Sequence, residues 1–323
     1  MKKIKTYFKG KGAVLCYHRV LPHKLVVNDC SPEKNLVISE NCLENHLNFL
    51  KNNYKVVSMD KMHSHLLGDS CEFLIAITFD DGYKDNLHYA LPLLEKYELP
   101  ATISITTRFP EGDNWMWWYE LEDLILNEKS LDINFRNLKL NASIKTKNLK
   151  SIAYSKIRKW IINEKEIIQK QFLTYLTKNK VRKNYSNITL NWEEILFLDS
   201  HKLINIGAHS HNHSNLKILD ANEVLRDLSH CKILIEKYLK HPIKHFAYPY
   251  GTSNAISSSV INYLKNLNFK TAVTTSFGYV GINGNIYKIP RISFEHLSSV
   301  QDISLKISHY SSVLKANIKR FYT

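Results

Sequence analysis

The sequence lacks the cysteine spacings that mark disulfide-rich scaffolds and cysteine-based zinc sites. Its five cysteines are dispersed, and no two of them stand in a Cys-x-x-Cys pair. An odd and scattered set of this kind excludes a disulfide framework and a thiolate metal centre. It is typical of a reducing compartment, where buried thiols behave as small hydrophobic side chains. The cysteines are Cys16, Cys30, Cys42, Cys71 and Cys231.

Long apolar runs are also lacking. No stretch reaches the 18 residues that would suggest a membrane-spanning helix, and the apolar run behind the basic N-terminus covers only residues 13–17. A signal peptide needs a longer apolar region and a small-residue cleavage site. With 323 residues, of which 44% are hydrophobic and 23% charged, the chain has the composition of a soluble globular protein. We therefore expect a cytoplasmic protein, at most peripheral to the inner face of the membrane.

Acidic residues are scarce in one part of the chain. Between residues 139 and 183 there are 13 lysines and arginines but only Glu164 and Glu166 on the acidic side, which gives this segment a net charge of +11 out of +14 for the chain. The pattern fits a solvated helix surface, or contact with an anionic surface such as a bilayer leaflet or a phosphorylated substrate. No nucleic-acid recognition motif accompanies the charge, so no nucleic-acid partner is expected.

Glycine-rich nucleotide motifs are missing as well. Neither GxGxxG nor GxxxxGK[ST] occurs, which disfavours the folds that cradle phosphates. Instead, apolar β-type runs alternate with stretches such as 86–99 and 223–238, whose apolar residues follow a helical period. This alternation indicates parallel strands with crossover helices, in a barrel or a doubly wound sheet. Seven candidate strands favour an α/β fold of the distorted (β/α)7 barrel type; they cover residues 13–17, 73–79, 101–105, 203–208, 245–248, 271–274 and 289–292.

Residues 110–200 interrupt the alternation. They contain an aromatic run at 115–119 and a helix-like spacing of apolar residues from Ile157 to Leu176. We predict one domain over residues 1–323, with 110–200 as a mostly helical insertion or cap that carries the basic segment. The aromatic run is interpreted as core packing under this cap, or as a sugar-stacking surface if it is exposed near the site. The stretch 300–318 predicts a closing amphipathic helix.

Two polar motifs follow predicted strands. Asp80 and Asp81 come directly after the run 73–79, and Gly82 permits a tight turn behind them. Successive side chains at a strand end point in different directions, so one carboxylate can bind a metal while the other faces a reacting water. Taken alone, the pair also fits an ordinary Asp-Gly turn that caps a helix.

The second motif is His209 and His213, four residues apart and just after the run 203–208. Residues at this spacing share one face of a helical turn and can bind one ion, while His211 points elsewhere. A carboxylate with two imidazoles makes an open three-ligand metal site, and the spare carboxylate supplies a base for water. Together the two motifs predict a metal-dependent hydrolase.

The motifs resemble those of the polysaccharide deacetylase family, carbohydrate esterase family four. The resemblance rests on TFDDG at 78–82, on HSxxH at 209–213 and on YPYG at 248–251, and it covers roughly residues 10–109 and 190–295. It implies that Asp81, His209 and His213 hold a metal, usually zinc, and that Asp80 is the general base. It also implies that the backbone N–H of Tyr250 donates to the oxyanion.

The sequence departs from the family pattern at two places. The family often has an arginine just before its Pro-Tyr motif that tethers the catalytic aspartate; residues 246–248 contain none. Arg291, at the end of a late strand, is predicted either to supply this guanidinium or to form a peripheral salt bridge. The C-terminal Leu-x-His motif is also absent. His18 resembles the permuted general acid of exopolysaccharide deacetylases, with His296 as the alternative.

The resemblance therefore implies a hydrolase that removes N-acetyl groups from an amino sugar in a polysaccharide, an oligosaccharide or a biosynthetic precursor. Two alternatives stay open: a deformylase or deacylase of a polyprenyl-phosphate-linked amino sugar at the membrane surface, and a non-catalytic carbohydrate-binding protein. The expected cofactor is a divalent metal, most simply Zn²⁺, although two histidines and an aspartate also accept cobalt, nickel or iron. The expected partner is an N-acetylated glycan or lipid-linked sugar, with contact to an anionic membrane as a further expectation.

Overall fold

Seven parallel strands close into a barrel. The computed structural model describes residues 11–26, 34–68, 70, 72–178, 183–281, 284–294 and 298–307. The strands of the described part are β1 Gly12–Tyr17, β2 Arg19–Leu21, β3 Val37–Ser39, β4 Lys55–Val56, β5 Leu74–Phe79, β6 Ala101–Ile105, β7 Ser130–Phe135, β8 Leu138–Ser143, β9 Ile204–Ala208, β10 His245–Ala247, β11 Thr271–Phe277 and β12 Ile289–Ser293.

The barrel follows the order β1-β12-β11-β10-β9-β6-β5 and closes by parallel pairing of β5 with β1, while β4 lies outside on β5. These seven strands are the seven that the sequence predicts, and the expected distorted (β/α)7 barrel is confirmed. Every residue of β1 and β5 is buried. Strands covered on both faces read as continuous apolar runs, which is why the sequence identifies them.

Helices cover the barrel and connect its strands. In the described residues they are α1 His23–Val26, α2 Glu40–Asn53, α3 Met59–Leu67, α4 Leu91–Tyr97, α5 Trp117–Asn127, α6 Lys147–Ile161, α7 Glu166–Thr177, α8 Trp192–Asp199, α9 Ala221–Leu239, α10 Ser258–Asn266 and α11 Val300–Ile307. The predicted helix over 223–238 corresponds to α9, which starts two residues earlier because Asp220 and Glu223 form a capping box. The predicted helix over 86–99 begins as a π-helical turn, Asn86–Ala90, ahead of α4.

The segment between β6 and β9 forms a second hydrophobic cluster, separate from that of the barrel. It contains α5, α6, α7 and an antiparallel hairpin of β7 and β8 that the sequence analysis misses. The single helical stretch expected from Ile157 to Leu176 is wrong, because α6 ends at Ile161 and α7 begins at Glu166. The side-chain amide of Gln169 donates to the carbonyls of Ile161 and Glu164, both at 2.9 Å, and so satisfies the backbone at this break. The division into one domain with an insertion stays a prediction.

The register of the barrel brings the polar motifs to one edge. Tyr17 of β1 pairs with Phe79 of β5, and Ile105 of β6 pairs with Ala208 of β9. His18, Asp80 and His209 follow three of these strand ends directly. The carboxyl ends of barrel strands form the active face of such folds, and here they bring together residues nearly 200 positions apart in the sequence. The predicted helix over 300–318 is described only as α11, and its remainder lies outside the described residues.

Candidate metal centre and active site

Asp81, His209 and His213 converge at the carboxyl edge of the barrel. The Oδ1 atom of Asp81 lies 3.1 Å from Nε2 of His209 and 3.2 Å from Nε2 of His213. One ligand atom from each of the three residues falls within 4.8 Å of the others. Burial works against the ionised form of Asp81, but the two facing imidazoles outweigh it and hold the pKa of this carboxyl well below its ordinary value.

The donor set fits a divalent metal ion. The Nδ1 atom of His209 lies 2.8 Å from the carbonyl oxygen of Ala247, to which it donates, and this leaves Nε2, on the side of Asp81, as the nitrogen available to a metal ion. Burial lowers the pKa of His213 and favours its neutral, ligating form. Oδ1 of Asp81 is buried and accepts no hydrogen bond from the described part of the chain. Lone pairs converging on a buried carboxylate oxygen are stabilised by a cation between them.

The backbone at these ligands differs from the prediction. Residues 209–213 form no helical turn; Ser210 has φ = +64° and His213 φ = +53°. The two imidazoles therefore meet through a left-handed bend rather than through i, i+4 spacing on a helix. Asp81 is also left-handed, with φ = +75°. Gly82 follows at φ = +82°, where a Cβ atom would lie 3.1 Å from Cδ1 of Ile105, so this turn requires glycine.

Asp80 borders the same cavity as the three ligands and forms a buried ion pair with Arg291. The guanidinium donates to both carboxylate oxygens, from Nη1 to Oδ1 at 2.9 Å and from Nη2 to Oδ2 at 2.5 Å. Its other donors bind Oγ1 of Thr78 at 3.0 Å and the carbonyl of Thr274 at 2.8 Å. Burial alone would raise the pKa of Asp80, but Arg291 outweighs it, so that the pKa is lowered. The structure thus places Arg291 on Asp80 from β12, and not in a peripheral salt bridge.

His18 lies on the same side of the cavity as Asp80. Its Nε2 atom is 4.0 Å from Oδ2 of Asp80, and Asn86 binds its carbonyl oxygen at 2.8 Å. Burial lowers the pKa of His18, although the charges of Asp81 and Asp80 oppose the shift. His296, the alternative general acid, lies outside the described residues.

Aromatic side chains from α5 form one wall of the site. Trp117 and Trp118 line a cavity of about 290 Å³ together with the metal ligands, Asp80 and His18. The ring of Trp118 packs on His213 with centroids 4.9 Å apart, and Nε1 of Trp117 donates to the hydroxyl of Tyr250 at 3.2 Å. These indoles are buried in the second cluster, which confirms the predicted core packing, and they also border the cavity, while sugar stacking stays a prediction.

Some residues of the site carry no signal that the sequence analysis used. Thr78 orients Arg291, and Arg158 and Ile162 line the cavity from the end of α6. Thr78 stands in the TFDDG motif and could have been read from it. Arg158 and Ile162 lie roughly 80 positions after the first motif and roughly 50 before the second, and only the tertiary structure brings them to the cavity.

The barrel with a carboxylate, two histidines and a second, arginine-paired carboxylate at its carboxyl edge defines a metal-dependent hydrolase. A family model for polysaccharide deacetylases matches residues 68–272. The chain therefore belongs to the polysaccharide deacetylase family, as the motifs predict, and it is an N-deacetylase by class. The two alternatives, a polyprenyl-linked deformylase and a non-catalytic binding protein, are not favoured.

Individual relatives agree with this membership. The chain is 26% identical over 311 residues to the poly-beta-1,6-N-acetyl-D-glucosamine N-deacetylase of Staphylococcus aureus (strain MSSA476), covering 92% of this chain and 84% of that protein. YxkH of Bacillus subtilis (strain 168) carries the same family name and is 33% identical over 103 residues, which are 31% of this chain and 33% of that protein.

Two solved structures share the fold. The Streptococcus pyogenes deacetylase PplD, in complex with acetate, superposes with a TM-score of 0.63 at 16% identity, covering 93% of this chain and 99% of that one. IcaB from Ammonifex degensii gives a TM-score of 0.56 at 16% identity, over 93% and 97% of the two chains. These likenesses bear on the fold alone.

Proposed function

We propose that this protein hydrolyses the acetamide of N-acetylglucosamine units in a polysaccharide, releasing acetate and leaving a free amine. The observation that carries the proposal is the single cavity in which three potential metal ligands face Asp80 and His18. The polymer is proposed from the name of the Staphylococcus aureus relative, which is aligned with nearly the whole chain. Trp117 and Trp118 support a sugar substrate, because indole faces stack well on the apolar faces of sugar rings.

We propose a role for each of the chemistry-bearing residues that line this cavity. A divalent metal held by Asp81, His209 and His213 would lower the pKa of water and polarise the acetyl carbonyl. Asp80, kept ionised by Arg291, takes a proton from the attacking water as its oxygen bonds to the carbonyl carbon. The backbone N–H of Tyr250 donates to the carbonyl oxygen as that oxygen gains negative charge.

The second proton transfer goes to the nitrogen when the C–N bond breaks. Because burial lowers the pKa of His18, this imidazole is neutral at rest and must receive a proton before it can give one. Asp80 lies 4.0 Å away through its Oδ2 atom and holds the proton taken from water. We therefore propose that His18 collects this proton and donates it to the leaving amine.

The test is acetate release from β-1,6-linked N-acetylglucosamine oligomers, with β-1,4-linked oligomers beside them. Wild type should release acetate, and Asp80→Asn should lose at least 100-fold because the general base is removed. His213→Ala should lose both activity and metal. Its matched control is His241→Ala, an exposed histidine paired with Asp199, which should behave as wild type. Wild-type protein that holds its metal but releases no acetate from either oligomer would contradict the proposed substrate.

Zinc is the metal that we propose for the site. A mixed nitrogen and oxygen donor set with three protein ligands is typical of catalytic zinc. Elemental analysis of protein purified without added metal should give one zinc per chain, and none in Asp81→Ala. A different metal at full occupancy would overturn the choice of zinc while leaving the site in place.

We also propose that the outer face of α6 contacts an anionic bilayer. Leu149, Ile152, Lys156 and Lys159 follow helical spacing on one face, and Ile152 is 56% exposed. A mixed apolar and basic face suits the membrane interface, and each lysine near an anionic leaflet adds about 1 kcal/mol. None of the helices in the described ranges is long and apolar enough to cross a bilayer. The cytoplasmic location stays a prediction.

Sedimentation with vesicles tests this contact. Vesicles of phosphatidylcholine with one quarter phosphatidylglycerol should carry the protein down at low salt, whereas pure phosphatidylcholine should not. Lys156→Glu with Lys159→Glu should release it. The matched control is Lys237→Glu with Ile233→Ser on α9, where Ile233 is 62% exposed. Equal loss in both double variants, or equal binding to both kinds of vesicle, would contradict an α6-specific contact.

A further inference from the structure

The loop that carries two of the metal ligands adopts a conformation that its own residues do not favour. This ligand loop, residues 209–213, has two non-glycine residues with left-handed φ, Ser210 and His213. A non-glycine residue keeps a left-handed φ only where contacts with the surrounding structure outweigh the intrinsic preference of that residue for negative φ. The side chain of Ser210 contributes one contact, since its Oγ accepts the N–H of His213 at 2.9 Å.

Two carbonyl groups of the ligand loop accept hydrogen bonds from the neighbouring barrel segment that follows β6. The N–H of Thr107 donates to the carbonyl of Ser210 at 3.3 Å, and the N–H of Arg108 donates to that of His211 at 3.2 Å. These donors belong to the continuation of β6, which therefore holds one edge of the loop as an irregular extension of the sheet. The same edge accepts the N–H of His209 through the carbonyl of Ile105 at 2.8 Å, but the N–H groups at the middle of the loop need acceptors from elsewhere.

Asp227 supplies those acceptors from the other side. It lies in the second turn of α9, and its two carboxylate oxygens accept the N–H of His211 at 2.9 Å and the N–H of Asn212 at 3.0 Å. The side chain is only 4% exposed. One buried carboxylate therefore binds two consecutive peptide groups lying between the two ligating histidines.

We propose that Asp227 is a positioning residue that sets the affinity of the site for its metal. The residue is not one of the three candidate ligands and does not line the cavity that contains them, and it acts by holding the bend that turns the Nε2 atoms of His209 and His213 toward Asp81. Removing it leaves two buried N–H groups without an acceptor, and the loop relaxes to satisfy them with water. Partners that orient metal ligands typically contribute 10- to 100-fold in affinity. The inference rests on the proposed function in assuming that these three residues bind a metal.

The experiment measures metal affinity without substrate. Wild type, Asp227→Asn and Asp227→Ala are stripped of metal and titrated with Co²⁺, whose visible absorption reports the geometry of its ligands, and with Zn²⁺ in competition with a chromophoric chelator. Asp227→Ala should bind 10- to 100-fold more weakly and change the cobalt spectrum. Asp227→Asn keeps one acceptor oxygen, so its metal affinity should lie between those of wild type and Asp227→Ala. The asparagine variant also tests the proposal if the alanine variant does not fold.

Asp220→Ala is the matched control. Asp220 caps the same helix, is 61% exposed and makes no contact with the ligand loop among the described residues. Its loss should remove the capping hydrogen bond to the N–H of Glu223 and leave the metal affinity unchanged. An Asp227 variant that folds and binds Co²⁺ as wild type does would overturn the proposal, as would an equal loss of affinity in Asp220→Ala. Wild type that binds no metal would instead overturn the proposed metal site itself.

Discussion

Replacing Arg291 with methionine removes the positive partner of a fully buried ion pair. Arg291 is 0% exposed and Asp80 is 1% exposed, so water does not reach the carboxylate that the substitution leaves behind. Removing one partner of a buried, hydrogen-bonded pair costs about 3–5 kcal/mol. We expect the free energy of unfolding of Arg291→Met to fall by an amount in this range at neutral pH, because methionine fills part of the volume of the arginine but donates no hydrogen bond.

The loss should depend on pH with a definite sign. In wild type the pKa of Asp80 lies below its ordinary value, so this group stabilises the fold above the ordinary carboxyl pKa, and the contribution is lost as pH falls through the native value. In Arg291→Met, burial raises the pKa of Asp80 instead, and protonation relieves the unpaired charge. The stability difference between the two proteins should therefore shrink as the solution is made more acidic.

Urea unfolding of the metal-loaded proteins at several pH values measures this difference, and acetate release measures the acid limb of activity. That limb should move to higher pH in Arg291→Met, since Asp80 must be ionised to accept a proton. Arg226→Met, at an exposed position, controls for the change of side chain and should stay within about 0.5 kcal/mol of wild type. An Arg291→Met protein with the stability of this control and an unmoved acid limb would refute the reasoning.

Three further outcomes follow from the structure. His46 is fully buried, and burial lowers its pKa from 6.5 to about 4. Because the unfolded chain binds the proton first as the pH falls, the free energy of unfolding should decrease by about 3 kcal/mol across this interval. Urea unfolding of His46→Gln should show a weaker dependence of stability on pH. Gly251→Ala should lose both stability and acetate release, because φ is +56° and the new Cβ would lie 2.5 Å from the backbone nitrogen of Thr275. The control is Gly112→Ala, at φ = +92° with no atom within 4 Å of the new Cβ, which should be destabilised only by the strain of its φ. Equal losses in the two variants would contradict the steric argument. A chelator should lower the free energy of unfolding of wild type by about 2.7 kcal/mol, if the free metal concentration was 100 times the dissociation constant before the chelator was added. Calorimetry should measure this loss in wild type and show none in Asp81→Ala.

The barrel strands could be predicted because each is a short apolar run with covered faces, and such a run is itself the signal. The hairpin of β7 and β8 was missed although its pattern is readable: Leu131 and Ile133 alternate with exposed residues, and Arg136 takes a left-handed φ of +51° at the turn. A helical period predicted over the insertion does not account for this two-residue alternation, which is typical of a strand.

The residues of the candidate site could be predicted as a set, but not their geometry. The motifs identify Asp80, Asp81, His209 and His213, since chemistry fixes which residue types such a site needs. They do not reveal the left-handed bends at the ligands, because a non-glycine residue with positive φ is imposed by its surroundings. The pairing of Arg291 with Asp80 likewise depends on where β12 enters the barrel, which no local pattern of sequence specifies.

The order of the strands has a consequence for biosynthesis. β1 lies between β5 and β12, so it has one neighbour that is synthesised soon after it and another that is synthesised much later. Until residues 289–293 are made, the barrel stays open beside β1, and Asp80 has no guanidinium to offset its burial. A nascent chain that ends before Arg291 therefore already holds the three metal ligands but lacks the counterion of its base. A site with an ion-paired base can therefore form only after β12 has been made.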